Sequence, residues 1–213
     1  MNTDIQSPVW MVVSAPSGAG KTTLCNRLLQ EYPEIHYSVS CTTRRARLGE
    51  QDGVDYTFMN ASAFEAKVAC DAFLEHAEVH GACYGTLKES VFGQLMRGVD
   101  VLMDIDVQGA AQIRRFIQSE SCPDVMKRAY VDVFITPPSI EALHERLIHR
   151  GADDADVIER RVNKARDEME SRSDYDYIVV NGDIETAYDH LRSIYVATHW
   201  RAFDAREKNN HCQ

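Results

Sequence analysis

Val9-Trp10-Met11-Val12-Val13-Ser14, followed by Ala15-Pro16-Ser17-Gly18-Ala19-Gly20-Lys21-Thr22-Thr23 and then Leu24-Cys25-Asn26-Arg27-Leu28-Leu29, is the run that decides the fold. The apolar segment Val9–Ser14 is long enough for a buried strand and too short for a helix, while apolar spacing over Thr22–Glu31 predicts a helix. Between them Gly18 and Gly20 lack Cβ, so backbone N–H groups can close around phosphate oxygens, and the helix N-terminus adds its partial positive charge. Lys21 is placed to bridge β- and γ-phosphates, and the Thr22 hydroxyl to coordinate Mg²⁺. Ala15 stands where the pattern G-x-x-x-x-G-K-[ST] has its first glycine, so its backbone must avoid the left-handed region or carry strain. The alternative, a glycine turn that only caps a helix, would aim a lysine into a ring of N–H donors with no anion to meet.

Outward from this loop, Val99–Ile105, Tyr130–Ile135 and Tyr177–Val180 have the same buried-strand character. Helical spacing recurs at Ala110–Gln118, Ile140–His149, Asp156–Ser171 and Thr186–Phe203. The alternation predicts an α/β fold with a P-loop NTPase-type parallel sheet flanked by helices. At 213 residues, 44% hydrophobic and 26% charged, the chain suits one domain with a sizeable core, and disorder and collagen are excluded. Two stretches break the alternation. Residues 37–60 read as short strands and turns and continue through a helix at Ala61–Cys70 to Tyr84-Gly85, an inserted small α+β lobe. Residues 150–175 are rich in Arg, Asp and Glu, and such helices with little core contact can move as a lid.

Charge and composition narrow the function classes. Lys plus Arg number 23 against 33 Asp plus Glu, a formal charge of −10 that argues against a nucleic-acid surface. An anionic ligand therefore needs a local basic cluster, and Arg44, Arg45 and Arg47 provide one. Val9–Val13, the longest apolar run, is far short of the roughly 20 residues of a membrane span. The polar, acidic start Met1–Pro8 lacks the pattern of an export signal, so a cytoplasmic protein is expected, with no membrane partner. Six cysteines without a Cys-x-x-Cys pair point to reduced, mostly buried thiols. His76 and His80, with Cys83 nearby, lack a third convincing ligand, so no metal is expected there.

The stretch Ser38-Val39-Ser40-Cys41-Thr42-Thr43-Arg44-Arg45-Ala46-Arg47-Leu48-Gly49-Glu50, with Gly53-Val54-Asp55-Tyr56-Thr57-Phe58, closely resembles the signature of the guanylate kinase family. The likeness continues through Phe73-Leu74-Glu75, Tyr84-Gly85-Thr86, Asp104-Ile105-Asp106-Val107-Gln108-Gly109, Thr136-Pro137-Pro138-Ser139, Arg146-Leu147, Arg150-Gly151 and Val180-Asn181, covering about residues 9–200. It implies Mg²⁺-dependent transfer of the ATP γ-phosphoryl group to GMP or dGMP, giving ADP and GDP, in purine nucleotide metabolism. The implied organisation is one domain over residues 1–213: a core at about 8–36, 91–140 and 176–205, a GMP-binding lobe at about 37–90, and a lid at about 141–175. A monomer or a homo-oligomer is compatible with it.

The resemblance also assigns residues. ATP would be held by Ala15, Pro16, Ser17, Gly18, Ala19, Gly20, Lys21, Thr22 and Thr23, with Arg146 and with Asn181 beside the adenine. Arg44 and Arg47, three apart, would fork onto the GMP phosphate, helped by the Tyr56 and Tyr84 hydroxyls. Glu75 would accept from guanine N1–H and its exocyclic amino group, where adenine offers a lone pair at N1 instead, with Ser40, Gly85 and Thr86 along the purine edge. Asp104 and Asp106 lie at a strand end, where α/β crevices form, near the Mg²⁺ water shell and GMP. Arg150 and Arg161, eleven positions apart, would bring positive charge from the lid and act with Lys21 and Arg44 in catalysis. Taken one at a time, a solvated basic turn, a surface glutamate or a helix cap would explain several of these residues equally well. The rival functions are a non-catalytic guanylate-kinase-like binding module and a related P-loop kinase of a phosphorylated sugar.

Overall fold

The structure, a computed structural model, describes residues 7–79, 81–149 and 154–201. His80, Arg150, the expected helix end at Phe203 and the tail Asp204–Gln213 lie outside them. The expected parallel sheet flanked by helices is present. It has five strands in the order β2 (His36–Tyr37), β7 (Val101–Asp104), β1 (Trp10–Ser14), β8 (Tyr130–Thr136) and β9 (Tyr177–Val180), all parallel.

Alternation along the central strand divides the core. Met11 and Val13 face α1 (Lys21–Glu31) and α8 (Ile184–Thr198), packing with Leu24, Leu28, Tyr188 and Leu191. Trp10 and Val12 face the other side, under α3 (Lys88–Leu95), α4 (Val107–Gln118) and α5 (Asp124–Ala129). Trp10 is fully buried, meeting the Phe92 and Tyr130 rings edge-on at 6.0 and 5.4 Å. Truncating such a residue costs about 3–5 kcal/mol. α4 is further tied to the sheet by a buried network, in which Arg114 donates to Asp132 at 2.9 Å and stacks on Tyr175 at 4.2 Å. The Asp132 carboxylate also accepts from Tyr130 Oη and from the Asp176 N–H, so its charge is met from three sides.

A second sheet of four short strands stands apart, ordered β4 (Thr57–Phe58), β3 (Cys41–Thr42), β6 (Ala82–Leu87) and β5 (Phe73–Val79). Asn60 caps α2 (Ala61–Ala69), its side chain accepting from the Ala63 N–H at 2.8 Å. That helix seats Phe64 on Phe73, rings stacked at 4.5 Å, beside Cys41. A hairpin of α6 (Ile140–His149) and α7 (Ala155–Glu170) closes on a small cluster of its own, Leu143 and Leu147 against Ile158, Val162 and Ala165.

Some elements escaped the sequence pattern. Tyr37 belongs to β2 at the edge of the main sheet, where Ser38 N–H donates to Leu102 O at 2.9 Å; two residues are too few to show a period. α3 and α5, of eight and six residues, are likewise short for a helical period to stand out. No described helix is long and apolar enough to cross a membrane. Of the described cysteines, all are free thiols; Cys25, Cys41 and Cys122 are buried, Cys83 half-buried and Cys70 exposed.

Candidate active site

The chain leaves β1 at its C-terminal end through the glycine loop and re-enters as α1. Gly18 and Gly20 both sit at φ 93°, the left-handed region that favours glycine. Space demands it as well: a Cβ on Gly20 would lie 2.3 Å from Asn181 Nδ2, and one on Gly18 would lie 3.0 and 3.1 Å from Leu147 and Leu143. Ala15 is buried at the end of β1 and is not among the described residues with positive φ, so the glycine-to-alanine exchange carries no left-handed strain.

Around the loop lies a cavity of about 420 Å³, lined by Ala15, Pro16, Ser17, Gly18, Gly20, Lys21, Thr22 and Thr23 together with Asp106, Arg146, Lys164 and Glu168. Lys21 Nζ pairs with the Asp104 carboxylate and donates to Ile105 O at 3.0 Å. Thr22 and Thr23 are exposed to the cavity, while Ala19 is buried beneath it. Asn181, at the end of β9, donates from Nδ2 to Ala19 O at 2.7 Å, and its own carbonyl accepts from Arg146 Nη2 at 2.7 Å. Asn181, expected beside the adenine, thus also braces the loop, with Arg146, expected among the ATP contacts, bonded behind it.

A second cavity of about 230 Å³ opens over the four-stranded sheet, lined by Ser40, Tyr56, Glu75, Ala77, Val79, Tyr84, Asp104, Ile105 and Asp106. Asp106 lines both cavities. It is held there as the N-cap of α4, accepting from the Gly109 N–H at 2.9 Å. Glu75 is only 7% exposed and accepts from Thr86 Oγ1 at 2.7 Å; burial pushes its carboxyl up, against the pull of that hydrogen bond. Thr86 lies wholly buried behind it, 3.5 Å from Ser40 Oγ. Gly85 lets β5 and β6 close up, since a Cβ there would meet Glu75 O at 2.8 Å.

At the rim, Tyr56 and Tyr84 meet edge-on at 5.9 Å, and the Arg44 guanidinium lies 5.3 Å from the Tyr56 ring. Arg44 is gripped by both oxygens of Glu50 at 2.9 Å, and Glu50 also accepts from the Arg47 N–H at 2.7 Å. The Arg44 hydrogen bonds hold the Glu50 carboxyl down at about 2 and raise the guanidinium. Arg44 Nε is buried without a hydrogen-bond partner. The Arg47 side chain is exposed, on the loop beyond Arg44.

Sequence reasoning assigned no role to Glu50, although it closes the quoted Arg-x-x-Arg-x-Gly-Glu run. It also passed over Lys164 and Glu168, which lie in a charged stretch where no single residue stands out. Glu168 reaches the loop cavity from α7, paired with Lys164 at 3.5 Å, and burial pushes its carboxyl up. Arg161 sits half-buried one turn before Lys164 on α7. Arg150 lies outside the described residues. A further cavity of about 450 Å³ lies at the opposite end of the main sheet, between Tyr32, Glu34, Asp100, Tyr195, His199 and Trp200, where two carboxylates oppose a phosphate.

Two cavities thus share Asp106, one around a glycine loop with its lysine and one holding a buried carboxylate. The family model described as guanylate kinase matches residues 8–198. The guanylate kinase of Syntrophotalea carbinolica is 44% identical over 200 residues, covering 94% of this chain and 90% of that protein. That of Koribacter versatilis is 47% identical over 189 residues, covering 87% of this chain and 77% of that one. The crystal structure of guanylate kinase from Anaplasma phagocytophilum superposes with a TM-score of 0.71 at 32% identity, covering 95% of this chain and 93% of that chain. The chain belongs to the guanylate kinase family, the nucleoside monophosphate kinases that phosphorylate GMP at the expense of ATP.

Proposed function

We propose that ATP lies with its phosphates in the loop Ala15–Thr23 and GMP over the second sheet, and that transfer takes place past Asp106. The observation that carries this reading is that Asp106 lines both cavities, so ligands filling them meet there. Lys21 would exchange its bond to Asp104 for the β- and γ-phosphates, keeping a charged partner throughout. Arg44, Arg47, Tyr56 and Tyr84 would hold the GMP phosphate; the unpartnered, buried Arg44 Nε supports an acceptor arriving on that side. Glu75, with Ser40, Gly85 and Thr86, would read guanine.

The hard oxygen donors of Thr22 and Asp104 beside the loop fit Mg²⁺, with the substrates' phosphates supplying most of its ligands. Bound there, Mg²⁺ would neutralise charge between the β- and γ-phosphates. An oxygen of the GMP phosphate attacks the γ-phosphorus in line, the bond from that phosphorus to the β-bridging oxygen breaks, and ADP leaves. The nucleophile is already anionic near neutral pH, so no general base is required, and positioning with charge neutralisation carries the rate. Arg146, Arg150 and Arg161 would meet the transferred charge as the α6–α7 segment, residues 141–175, closes as a lid over the core; residues 37–90 would act as the GMP lobe. A cytoplasmic setting, where ATP and GMP are at hand, and no partner beyond these small molecules and further copies of the chain complete the proposal.

The test is coupled ADP release with ATP and Mg²⁺, comparing GMP, dGMP, AMP, CMP, UMP and a ribose bisphosphate. Turnover confined to the guanine acceptors, with that selectivity relaxed in Glu75→Gln, is the expected result. Undiminished guanine selectivity in that variant would remove Glu75 from the reading.

A further inference from the structure

We propose that the face of α4 bearing Asp106, Gly109 and Gln112 is the seat that sets the Glu75 carboxylate, and that Gly109 and Gln112 are positioning residues for guanine recognition. The inference rests on the reading of Glu75 as the acceptor of the guanine edge. Two features join β5 to this helix, and a third ties the same strand to the main core.

The first is a clip. β5 is the outer strand of the second sheet, so one edge of its backbone lacks a neighbouring strand. Gln112 stands in for that strand: its Nε2 donates to His76 O at 2.9 Å and its Oε1 accepts from the His76 N–H at 3.2 Å. A primary amide presents the same donor and acceptor pair as a peptide group, so a single side chain satisfies both backbone groups of the residue after Glu75.

The second is a notch. Gly109 has no positive φ to explain it, and glycine inside a helix is otherwise unfavourable. A Cβ there would lie 2.9 Å from Glu75 Oε2, 3.2 Å from Cδ and 3.3 Å from Cγ. The missing side chain is the space that the carboxylate occupies. The third is a break in register between Phe73 and Glu75, across which Leu74 is buried among the main-sheet residues Trp10, Val12 and Met103 while its neighbour Phe73 packs with Phe64 of the second sheet. The strand bearing Glu75 is thus pinned to the core on both sides of that residue. α4 is in turn locked to the main sheet through Arg114 and Asp132.

Gly109→Ala separates positioning from folding, because alanine favours the helix while its Cβ displaces the carboxylate. The expected result is a KM for GMP raised by about tenfold or more, with kcat at saturating GMP and KM for ATP within about twofold, and thermal stability equal or higher. Gln112→Met, which keeps length and loses both hydrogen bonds, is expected to shift KM for GMP in the same direction and to relax discrimination against AMP. In a Glu75→Gln background neither change should add to the loss, since both act through that carboxylate. GMP KM values near wild type for Gly109→Ala and Gln112→Met, with Glu75→Gln impaired, would overturn the seat and leave the base reader standing. Full additivity with Glu75→Gln would overturn it too. A Glu75→Gln enzyme with unchanged GMP KM and AMP discrimination would remove the underlying reading and the seat together.

Discussion

The loop at Ala15–Thr23 is built mainly of backbone on an all-parallel core, whereas the cavity over the second sheet is built of side chains drawn from around β3, β4, β5, β6, β7 and the cap of α4. Phosphate asks only for N–H donors and positive charge, which a short contiguous segment can supply. A purine edge asks for donors and acceptors in a fixed pattern, which no contiguous segment offers. The first site tolerates Ala15 in place of glycine, because the positions that require positive φ are Gly18 and Gly20. The second has little slack, because Glu75 is buried, hydrogen-bonded to Thr86 and pressed on Gly109.

The contrast can be broken at its two charged centres. Lys21→Ala should lower turnover by about three orders of magnitude or more with the fold intact, measured as ADP release alongside circular dichroism. Turnover within tenfold of wild type would show that the loop works without its lysine. Glu75→Gln should lower preference for GMP over AMP by about 10²–10⁴, since a neutral amide no longer repels the adenine N1 lone pair. The same variant should be the more stable protein at neutral pH. Burial raises the Glu75 carboxyl, so the folded state binds its proton more tightly than the unfolded state does. Its contribution to stability is therefore greatest below about pH 4.5, the ordinary carboxylate value, and is lost as pH rises through the raised one. Melting curves of the two proteins should converge at acid pH and separate at pH 7, by about 0.5–2 kcal/mol in favour of the glutamine.

Smaller effects sharpen the comparison. Gly20→Ala should cost about 1–2 kcal/mol for the left-handed backbone alone and weaken ATP binding, because the new Cβ also displaces Asn181. An unchanged ATP KM would mean that the loop has more give than its geometry suggests. Glu50→Gln should raise KM for GMP by roughly tenfold, less than loss of Arg44 itself, because the guanidinium loses its orientation but keeps its charge. Glu50 is depressed to about 2, so its ion pair with Arg44 is complete above pH 4.5 and fails only as pH falls toward that value. The GMP KM should accordingly show no titration of this pair between pH 6 and 8.

Much of the core was legible from residue pattern because β1, β7 and β8 are buried, mostly apolar runs and the long helices are buried on a helical period. β9, expected to be buried, is the outer strand of the sheet and buries Val179 while Tyr177, Ile178 and Val180 are exposed. β1, β7, β8, β9 and the helices at 140–149 and 155–170 fall within two residues of their expected bounds at every end. The phosphate loop was legible because its chemistry is contiguous. The small lobe was legible as short strands, turns and the helix at 61–70, but not the pairing of its sheet, since β3 and β4 have two residues each and depend on partners far along the chain. Beyond the basic cluster at Arg44–Arg47, its candidate ligands emerged only through likeness to a family. Gln112 and Glu168 stayed hidden for a different reason: nothing in an amphipathic helix marks which polar residue touches a neighbour rather than water.

The second sheet closes on Cys41, Phe64 and Phe73 as its fully buried apolar residues among those described, while the main sheet has two extended clusters. So thin a centre predicts that the part of this lobe not tied to the core opens as a separate cooperative unit while the parallel core stays folded, β5 being held back through Leu74 and Gln112. Amide protons of β3 and β4 should then exchange with solvent through a low-energy partial unfolding, and those of β1 and β8 only through complete unfolding. GMP, by bridging the unit to the core at Glu75 and Asp106, would slow the first class and leave the second almost untouched. For this enzyme, taking up its acceptor would be in part the last step of folding.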